Sequence, residues 1–371
     1  MIKIKKSILF GITSLTIGGA ERVLVDVCNK LSDMYDITIF SIYDNGELKK
    51  ELSNNVKFEA LYSKRYCDIS KLLKLLIPIK ILLFSKWIYK KKISKDYDTE
   101  IAFLEGPITR LFSNKSNKVK KIAWIHNDIS RVFGKGIKSN LKKHIDKNIY
   151  QKYDELVFVS KDNMKNFQKY YKCFDSSRMQ VIYNYIDKEN VKKKAEEKYS
   201  GEMGVGIKCV TVCRLVNQKA LDRLIRVHSR LIRNGIEHKF FIIGDGPERE
   251  NLEKIIKKEN VVESFVLMGQ KSNPYPYIKN ADYFCLLSNY EGYGMVLEEA
   301  KILNKKIIIT DTAARECIEN YKDGIVLENE ESKIYEGLYN IFTHKNNTES
   351  NKEFIYDNSD KLSKIINLLN G

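Results

Sequence analysis

The chain has little of what metal and redox chemistry requires. Its five histidines are scattered, with no metal-ligand spacing among them. Its seven cysteines are Cys28, Cys67, Cys173, Cys209, Cys213, Cys285 and Cys317. None forms a Cys-x-x-Cys pair, and several sit inside apolar runs such as IKCVTVC. An odd count in such positions excludes a disulfide framework and points to reduced thiols. No metal site is expected. A GxGxxG dinucleotide fingerprint and a P-loop GK[ST] are both missing. So are solenoid-length repeats and any recognised nucleic-acid-binding motif. Met1 to Lys6 are basic, but only ILFGI follows before Thr13 and Ser14. That is too short for a signal core, so a cytoplasmic protein is expected.

Long apolar runs are missing too. The greasiest stretch, Ile69 to Ser94, is interrupted by Lys71, Lys74, Lys80, Lys86 and Lys90 to Lys92. Such a segment makes a poor spanning helix. It suits a helix lying in the plane of an anionic membrane surface, its lysines snorkelling and Trp87 at the interface. An ordinary amphipathic helix on a sheet, kinked or split at Pro78, is the other reading. Charge favours the first. The formal net charge is +16. Residues 1–200 hold 40 Lys and Arg against 23 Asp and Glu, leaving 24 against 25 for residues 201–371. One basic half beside a neutral half suggests a polyanionic partner for one domain, although lysine-rich surfaces also arise for solubility alone.

What is present is alternation. With 371 residues, two domains are the natural expectation. Short apolar runs read as buried strands at Ser7–Ile12, Ile37–Tyr43, Val56–Leu61, Thr99–Leu104, Lys121–His126, Glu155–Ser160 and Met179–Tyr183. Helical periodicity lies between many of them. A lysine- and glutamate-rich stretch, residues 187–206, reads as a connection. Alternation then restarts at Ile207–Cys213, Lys239–Gly244, Phe265–Gly269, Tyr283–Leu287, Lys306–Thr310 and Gly324–Leu327. This predicts two doubly wound α/β domains, residues 1–186 and 207–350, facing across a cleft. A closing helix within residues 351–371 would pack back on the first domain.

Four motifs follow predicted strands. Gly18-Gly19-Ala20-Glu21-Arg22 opens a helix, whose N-terminus would suit an anion. Arg214 and Lys219 follow Ile207–Cys213, where two cations suit a diphosphate. Gly244-Asp245-Gly246-Pro247 is a tight strand-to-helix turn able to touch a planar base. Glu291-Gly292-Tyr293-Gly294-Met295-Val296-Leu297-Glu298-Glu299-Ala300 sets one carboxylate at the mouth of a helix and another about 8 Å along it. Amides at Gly294, Met295 and Val296 lie between. One ligand, a nucleoside diphosphate sugar, would use all of these. Each motif alone also fits a turn, a solvated cation pair or a capped helix, and Glu298 is a third carboxylate in the same region.

In order and spacing these motifs resemble a retaining family 4 glycosyltransferase of the GT-B fold. The resemblance covers nearly the whole chain: GGAER, AWIHND, FVS, VIYNYID, CRLVNQKALDRLI, IGDGPERENL, ADYFCLLS and EGYGMVLEEA, the last as an E-x7-E motif. Asn184-Tyr185 stands where the family often has Asn-Gly, and Gly-Met-Val where Gly-Leu-Pro is commoner. The resemblance implies that His126 contacts the donor sugar and Glu291 hydrogen-bonds it. It implies that Arg214 and Lys219 hold the diphosphate and stabilise the leaving nucleotide, and that Glu299 binds the ribose. Gly18 and Gly19 would lie by the diphosphate, with Gly244, Gly246, Gly294, Met295 and Val296 also on the donor. It further implies front-side attack with retention and a UDP-sugar donor, GDP being second. Cations and amides would carry the charge of the leaving phosphate, so a metal-independent reaction is expected. The implied acceptor is a glycan or polyprenyl-linked oligosaccharide of a bacterial surface polysaccharide, met at the inner face of the membrane. A soluble transferase acting on a protein or small metabolite, and a non-catalytic partner subunit, are the alternatives. Nucleic acid is not expected as a partner.

Overall fold

A computed structural model describes residues 5–44, 46–63, 68–93, 96–114, 119–129, 137–199, 203–344 and 354–371. Cys67, Ser94, residues 200–202 of the expected connection, residues 345–350 of the expected second domain and residues 351–353 of the closing segment lie outside the described residues. The chain divides into two compact units, residues 1–186 with 358–371, and residues 187–357.

The first unit holds strands β1 (Ser7–Ile12), β2 (Asp36–Tyr43), β3 (Lys57–Tyr62), β4 (Thr99–Ala102), β5 (Lys120–Ile125), β6 (Glu155–Phe158) and β7 (Met179–Val181). All pair in parallel, in the order β3-β2-β1-β4-β5-β6-β7. Helices α1 (Gly19–Leu31), α2 (Lys71–Lys92), α3 (Pro107–Phe112), α4 (Ile137–Tyr150) and α5 (Lys161–Tyr171) alternate with them. In the second unit, α6 (Lys188–Ala195) precedes β8 (Ile207–Val212), α7 (Leu221–Arg233), β9 (His238–Ile243), α8 (Arg249–Lys258) and β10 (Phe265–Gly269). Then come α9 (Tyr275–Asn280), β11 (Tyr283–Leu286), α10 (Met295–Ile302), β12 (Lys306–Thr310), β13 (Gly324–Leu327) and α11 (Glu331–Thr343). Its sheet is also parallel, in the order β10-β9-β8-β11-β12-β13. A sheet covered on both faces must be apolar on both, so its strands are near-continuous hydrophobic runs.

Both orders reverse once, between β1 and β4 and between β8 and β11. Loops leave these neighbouring strands in opposite directions, which opens a crevice at their carboxyl ends. The glycine motif follows β1. The cation pair follows β8, and the glutamate motif follows β11.

The last helix, α12 (Ser359–Asn370), belongs to the first unit. Two lysines hold its final carbonyls: Lys6 Nζ donates to Leu369 O at 2.7 Å and Lys120 Nζ to Leu368 O at 2.8 Å. Cations there oppose the negative end of the helix dipole. The stretch read as a connection contains α6, capped by Asp187, whose carboxylate accepts from Glu189 N and Asn190 N. Asn273 Nδ2 donates to Lys194 O at 2.7 Å and ties this helix to the second unit. Its apolar face is only Val191 and Ala195. None of the six cysteines among the described residues forms a disulfide.

Two buried charged or polar clusters stand out. On β4 and β5, Glu100 faces Lys121 in register, and the two form a fully buried ion pair. Tyr89 of α2 donates to Glu100 and accepts from Lys121 Nζ at 3.0 Å. In the second unit, His238 Nδ1 lies 2.9 Å from Ile236 O, which can only accept. In the neutral ring His238 Nε2 is then an acceptor, and His228 Nδ1 donates to it across 2.7 Å. His228 Nε2 then accepts from Ser264 Oγ at 2.8 Å. The two facing nitrogens share one proton, so the rings cannot both be charged, and with both neutral every ring nitrogen has a partner.

Burial pulls the His228 pKa down to about 3, the neighbouring His238 adding to the effect, and that of His238 down to about 4. Unfolded histidine titrates near 6.5, so below that pH the unfolded chain binds more protons. The stability these rings contribute is complete above pH ~6.5 and is lost as pH falls toward about 4. We expect a thermal midpoint that drops over this interval, and a shallower drop in His228→Asn. Parallel pH profiles for the two proteins would contradict the assignment.

Candidate active site

The second unit's site is built from three loops joined through their backbones. Cys213 N donates to Ile243 O and Leu215 N to Asp245 O, both at 3.0 Å, and Glu248 N returns to Leu215 O at 3.1 Å. The loop after β8 thus lies directly on the turn after β9. A Cβ on Gly244 would sit 1.9 Å from Cys213 O, and one on Gly246 2.3 Å from Leu215 O. Gly244 also has φ +139°. Backbone contact explains both glycines, whatever the turn binds.

The loop after β11 is bolted to the same segment. Asn289 N donates to Gln218 O at 2.9 Å, Gln218 Nε2 to Tyr290 O at 2.9 Å, and Asn289 Nδ2 to Asn217 O at 3.2 Å. Lys219 Nζ meets Glu291 Oε1 at 2.6 Å, with the glutamate side chain 7% exposed. Lys219 ends a short 3-10 turn, and Ala220 beyond it is left-handed at φ +49°. That conformation costs a non-glycine residue roughly 1–3 kcal/mol and is typical of sites that need one side chain aimed. Arg214 differs: it is exposed and makes no ion pair among the described residues. Lys219 and Glu291 are thus brought together, and Arg214 stands nearby in sequence with its guanidinium open.

Gly294 precedes α10 at φ +76°, and no side chain caps that helix. The first-turn amides of Met295 and Val296 are therefore available to an anion. The three carboxylates of the motif separate. Glu298 is fully buried, accepts from the Tyr293 hydroxyl and pairs with Lys301 at 3.4 Å. Glu299, also buried, accepts from the Tyr275 hydroxyl at 3.1 Å. Sequence reasoning missed Tyr275. It lies on α9, and only the fold brings it to α10.

In the first unit, Gly18 caps α1 in extended geometry. A Cβ there would lie 2.2 Å from Glu21 Oε2, so the Glu21 carboxylate is bent back over the helix start. Burial pushes its pKa up, against a bond to its own backbone amide. The chain's own carboxylate thus occupies the N-terminus expected to face a phosphate. Arg22 is held by Glu51 in two contacts of 2.5 and 2.9 Å.

His126 directly follows β5. Glu105, after β4, accepts from His126 N and Asn127 N at 2.6 Å each and from Asn127 Nδ2 at 3.0 Å. Asn163 Nδ2 donates to His126 O at 3.3 Å. The ring packs 4.8 Å from Phe103. Its Nε2 is buried and has no hydrogen-bond partner among the described residues. Burial lowers the ring's pKa to about 3. His126 is therefore a neutral imidazole held by its backbone, with one nitrogen left for a ligand. Glu105 is a second residue the sequence did not reveal.

Cations, uncapped amides and a paired carboxylate gathered at the switch point of a parallel sheet are suited to an anionic ligand. Comparison with known proteins narrows the class. Residues 17–190 match the family model described as Glycosyltransferase Family 4, and residues 192–359 match Glycosyl transferases group 1. Over 343 residues the chain is 28% identical to the N-acetylgalactosamine-N,N'-diacetylbacillosaminyl-diphospho-undecaprenol 4-alpha-N-acetylgalactosaminyltransferase of Campylobacter jejuni, covering 88% of this chain and 87% of that one. Among solved structures it is similar to HepE of Anabaena in complex with UDP, at TM-score 0.72 and 15% identity, covering 98% of this chain and 99% of that one. It is also similar to WaaG, a glycosyltransferase involved in lipopolysaccharide biosynthesis, at TM-score 0.69 and 14% identity, covering 98% and 100%. The chain belongs to the family 4 glycosyltransferases of the GT-B fold, and it is a transferase enzyme.

Two outcomes follow from this geometry. Gly246→Ala should destabilise the second unit by about 1–3 kcal/mol, because its Cβ meets backbone that cannot move aside. An unchanged urea midpoint would refute the close loop packing. His126 ring resonances should not titrate between about pH 8 and pH 5. A midpoint near 6.5 would show the ring to be solvated.

Proposed function

We propose that the protein transfers a sugar from a UDP-sugar to a glycan or polyprenyl-linked acceptor, with retention of anomeric configuration, in bacterial surface polysaccharide synthesis. The observation that carries this reading is the Lys219–Glu291 pair at the β8/β11 switch point, beside the uncapped start of α10. Lys219 and the open guanidinium of Arg214 would take the charge that builds on the departing diphosphate. Met295 and Val296 amides would hold the phosphates, Glu299 the ribose and Glu291 the donor sugar. Gly18, Gly19 and the Gly244–Gly246 turn would border the donor. His126 would offer its unpaired Nε2 to the sugar. With these charges in place, the reaction needs no metal.

The donor and acceptor assignments rest on similar proteins. HepE is described in complex with UDP. The Campylobacter relative's name gives a polyprenyl diphosphate acceptor and an α-linkage. An α-linked product from an α-linked donor is retention. A membrane-borne acceptor would place the enzyme at the inner face of the membrane.

Release of nucleotide from UDP-, GDP- and ADP-sugars by purified protein tests the reading. We expect slow hydrolysis of a UDP-sugar, unaffected by EDTA, and lost in Glu291→Ala. Arg214→Ala is the sharper probe. It should reduce turnover on the order of 100-fold with no change in melting temperature, because the side chain makes no ion pair in the fold. Retention is read from the anomeric coupling constant of the product. Silence with every donor, with membrane extract supplied as acceptor, would instead support a non-catalytic partner subunit. Turnover on a water-soluble acceptor alone would move the acceptor assignment to a protein or metabolite.

A further inference from the structure

Helix α2 is apolar on two sides, and only one of them is covered. Ile77, Ile81 and Ile88 are buried in the first unit's core, and Tyr89 is fixed by the Glu100–Lys121 pair. On the other side, Leu72, Leu76, Ile79 and Leu83 recur at intervals of four and three residues, which makes one stripe, and Trp87 follows beyond a kink that falls at Phe84 rather than at Pro78. All five are exposed, Leu72 and Leu83 at 69% each and Trp87 at 59%. Leu73 and Phe84 are exposed beside them. Among the described residues, seven of the 15 exposed large hydrophobics therefore lie on one helix, whereas the others are scattered singly. Single exposed apolar residues need no explanation, but a contiguous stripe marks an interaction surface.

Charge selects the partner. Lys71–Lys92 contains seven lysines and no acidic residue. Lys80, Lys86 and Lys90 to Lys92 are exposed, and Lys91 Nζ stands 4.9 Å over the Trp87 ring. A second copy of the same face would bring lysine against lysine. A polyanion without apolar character would leave the leucines in water. A surface that is anionic outside and hydrocarbon within matches both features. The helix is not long and apolar enough to cross a membrane. Exposed apolar side chains lie on both sides of the Phe84 kink, so the segment would lie in the interface plane.

We propose that the first unit docks on anionic lipid bilayers through the exposed face of α2, with the stripe in the acyl boundary and the lysines at the headgroups. The inference deepens the proposed function, naming the surface by which a membrane-borne acceptor is met. It rests on that reading for its purpose but on α2 alone for its evidence.

Sedimentation of the full-length protein with vesicles tests it, using phosphatidylcholine alone and phosphatidylcholine mixed with phosphatidylglycerol. Binding to the mixed vesicles and little to the neutral ones is expected. Leu76→Glu and Leu83→Glu should each weaken binding about tenfold or more. Lys86→Glu with Lys90→Glu should weaken it and flatten its salt dependence. The chain has two tryptophans, and Trp124 is fully buried. A blue shift of emission on mixed vesicles therefore reports Trp87, and Trp87→Phe should abolish it. Because these side chains are exposed, the variants should keep the wild-type melting temperature and donor hydrolysis in lipid-free buffer. That assay separates failure of docking from failure of the transferase reading. No sedimentation with mixed vesicles, or sedimentation indifferent to the leucine variants, would overturn the proposal. So would a solution dimer split by Leu83→Glu, which would assign the face to a second copy.

Discussion

The site depends on one constraint: the side chain of Glu291 is almost wholly out of water and must find a cation. Lys219 supplies it, and in doing so joins loops that leave adjacent strands in opposite directions. Removing either partner would strand the other, which is why a buried pair couples so strongly to its surroundings. The three hydrogen bonds between residues 217–218 and 289–290 hold the backbone that presents the pair. The result is a carboxylate and an ammonium fixed before any ligand arrives. Preorganisation of this kind is what electrostatic catalysis needs, since no reorganisation is then required as charge develops. Arg214, exposed and without an ion pair among the described residues, is not committed to this framework.

The same region shows why packing and chemistry are hard to separate at glycines. Gly244 and Gly246 were legible as a turn, and their backbones looked available to a planar base. In the fold they are required first by the carbonyls of Cys213 and Leu215, which approach too closely for any side chain. This does not remove them from the proposed donor site. It means that their presence carries less functional information than that of Arg214, which no structural role accounts for.

Much of the architecture was readable because parallel strands buried on both faces are written as apolar runs. All thirteen strands fall where those runs predicted, and His126 sits one residue beyond β5. Helix α6 was not readable. Its apolar face is Val191 and Ala195 alone, and lysine and glutamate elsewhere gave it the composition of a linker. In the site, Glu291 and Glu299 were legible as an E-x7-E pair, but not that Tyr293 and Lys301 claim the intervening Glu298 while Tyr275 reaches Glu299. Glu105 was invisible for a different reason. It acts on backbone amides of a neighbouring strand's end, and no sequence pattern records which strands become neighbours. Glu21 also carried a signal that went unused. An acidic residue in the first turn of a helix is itself a competitor for an anion site.

The excess of lysine in the first half now divides into groups with different physics. Lys6 and Lys120 satisfy the closing carbonyls of α12, and Lys121 is buried against Glu100. None of these three is available to a polyanion. Lys80, Lys86 and Lys90 to Lys92 of α2 are exposed, and they stand among exposed leucines. In water, such a stripe invites self-association, and like charge on every copy opposes it. Near an anionic interface the same charge becomes attractive and the leucines find an apolar phase. One set of lysines thus keeps the face soluble in one environment and selects it in the other. Charge counted over the whole half could not distinguish these roles, because it weighs a lysine bound to a helix carbonyl the same as one standing beside Trp87.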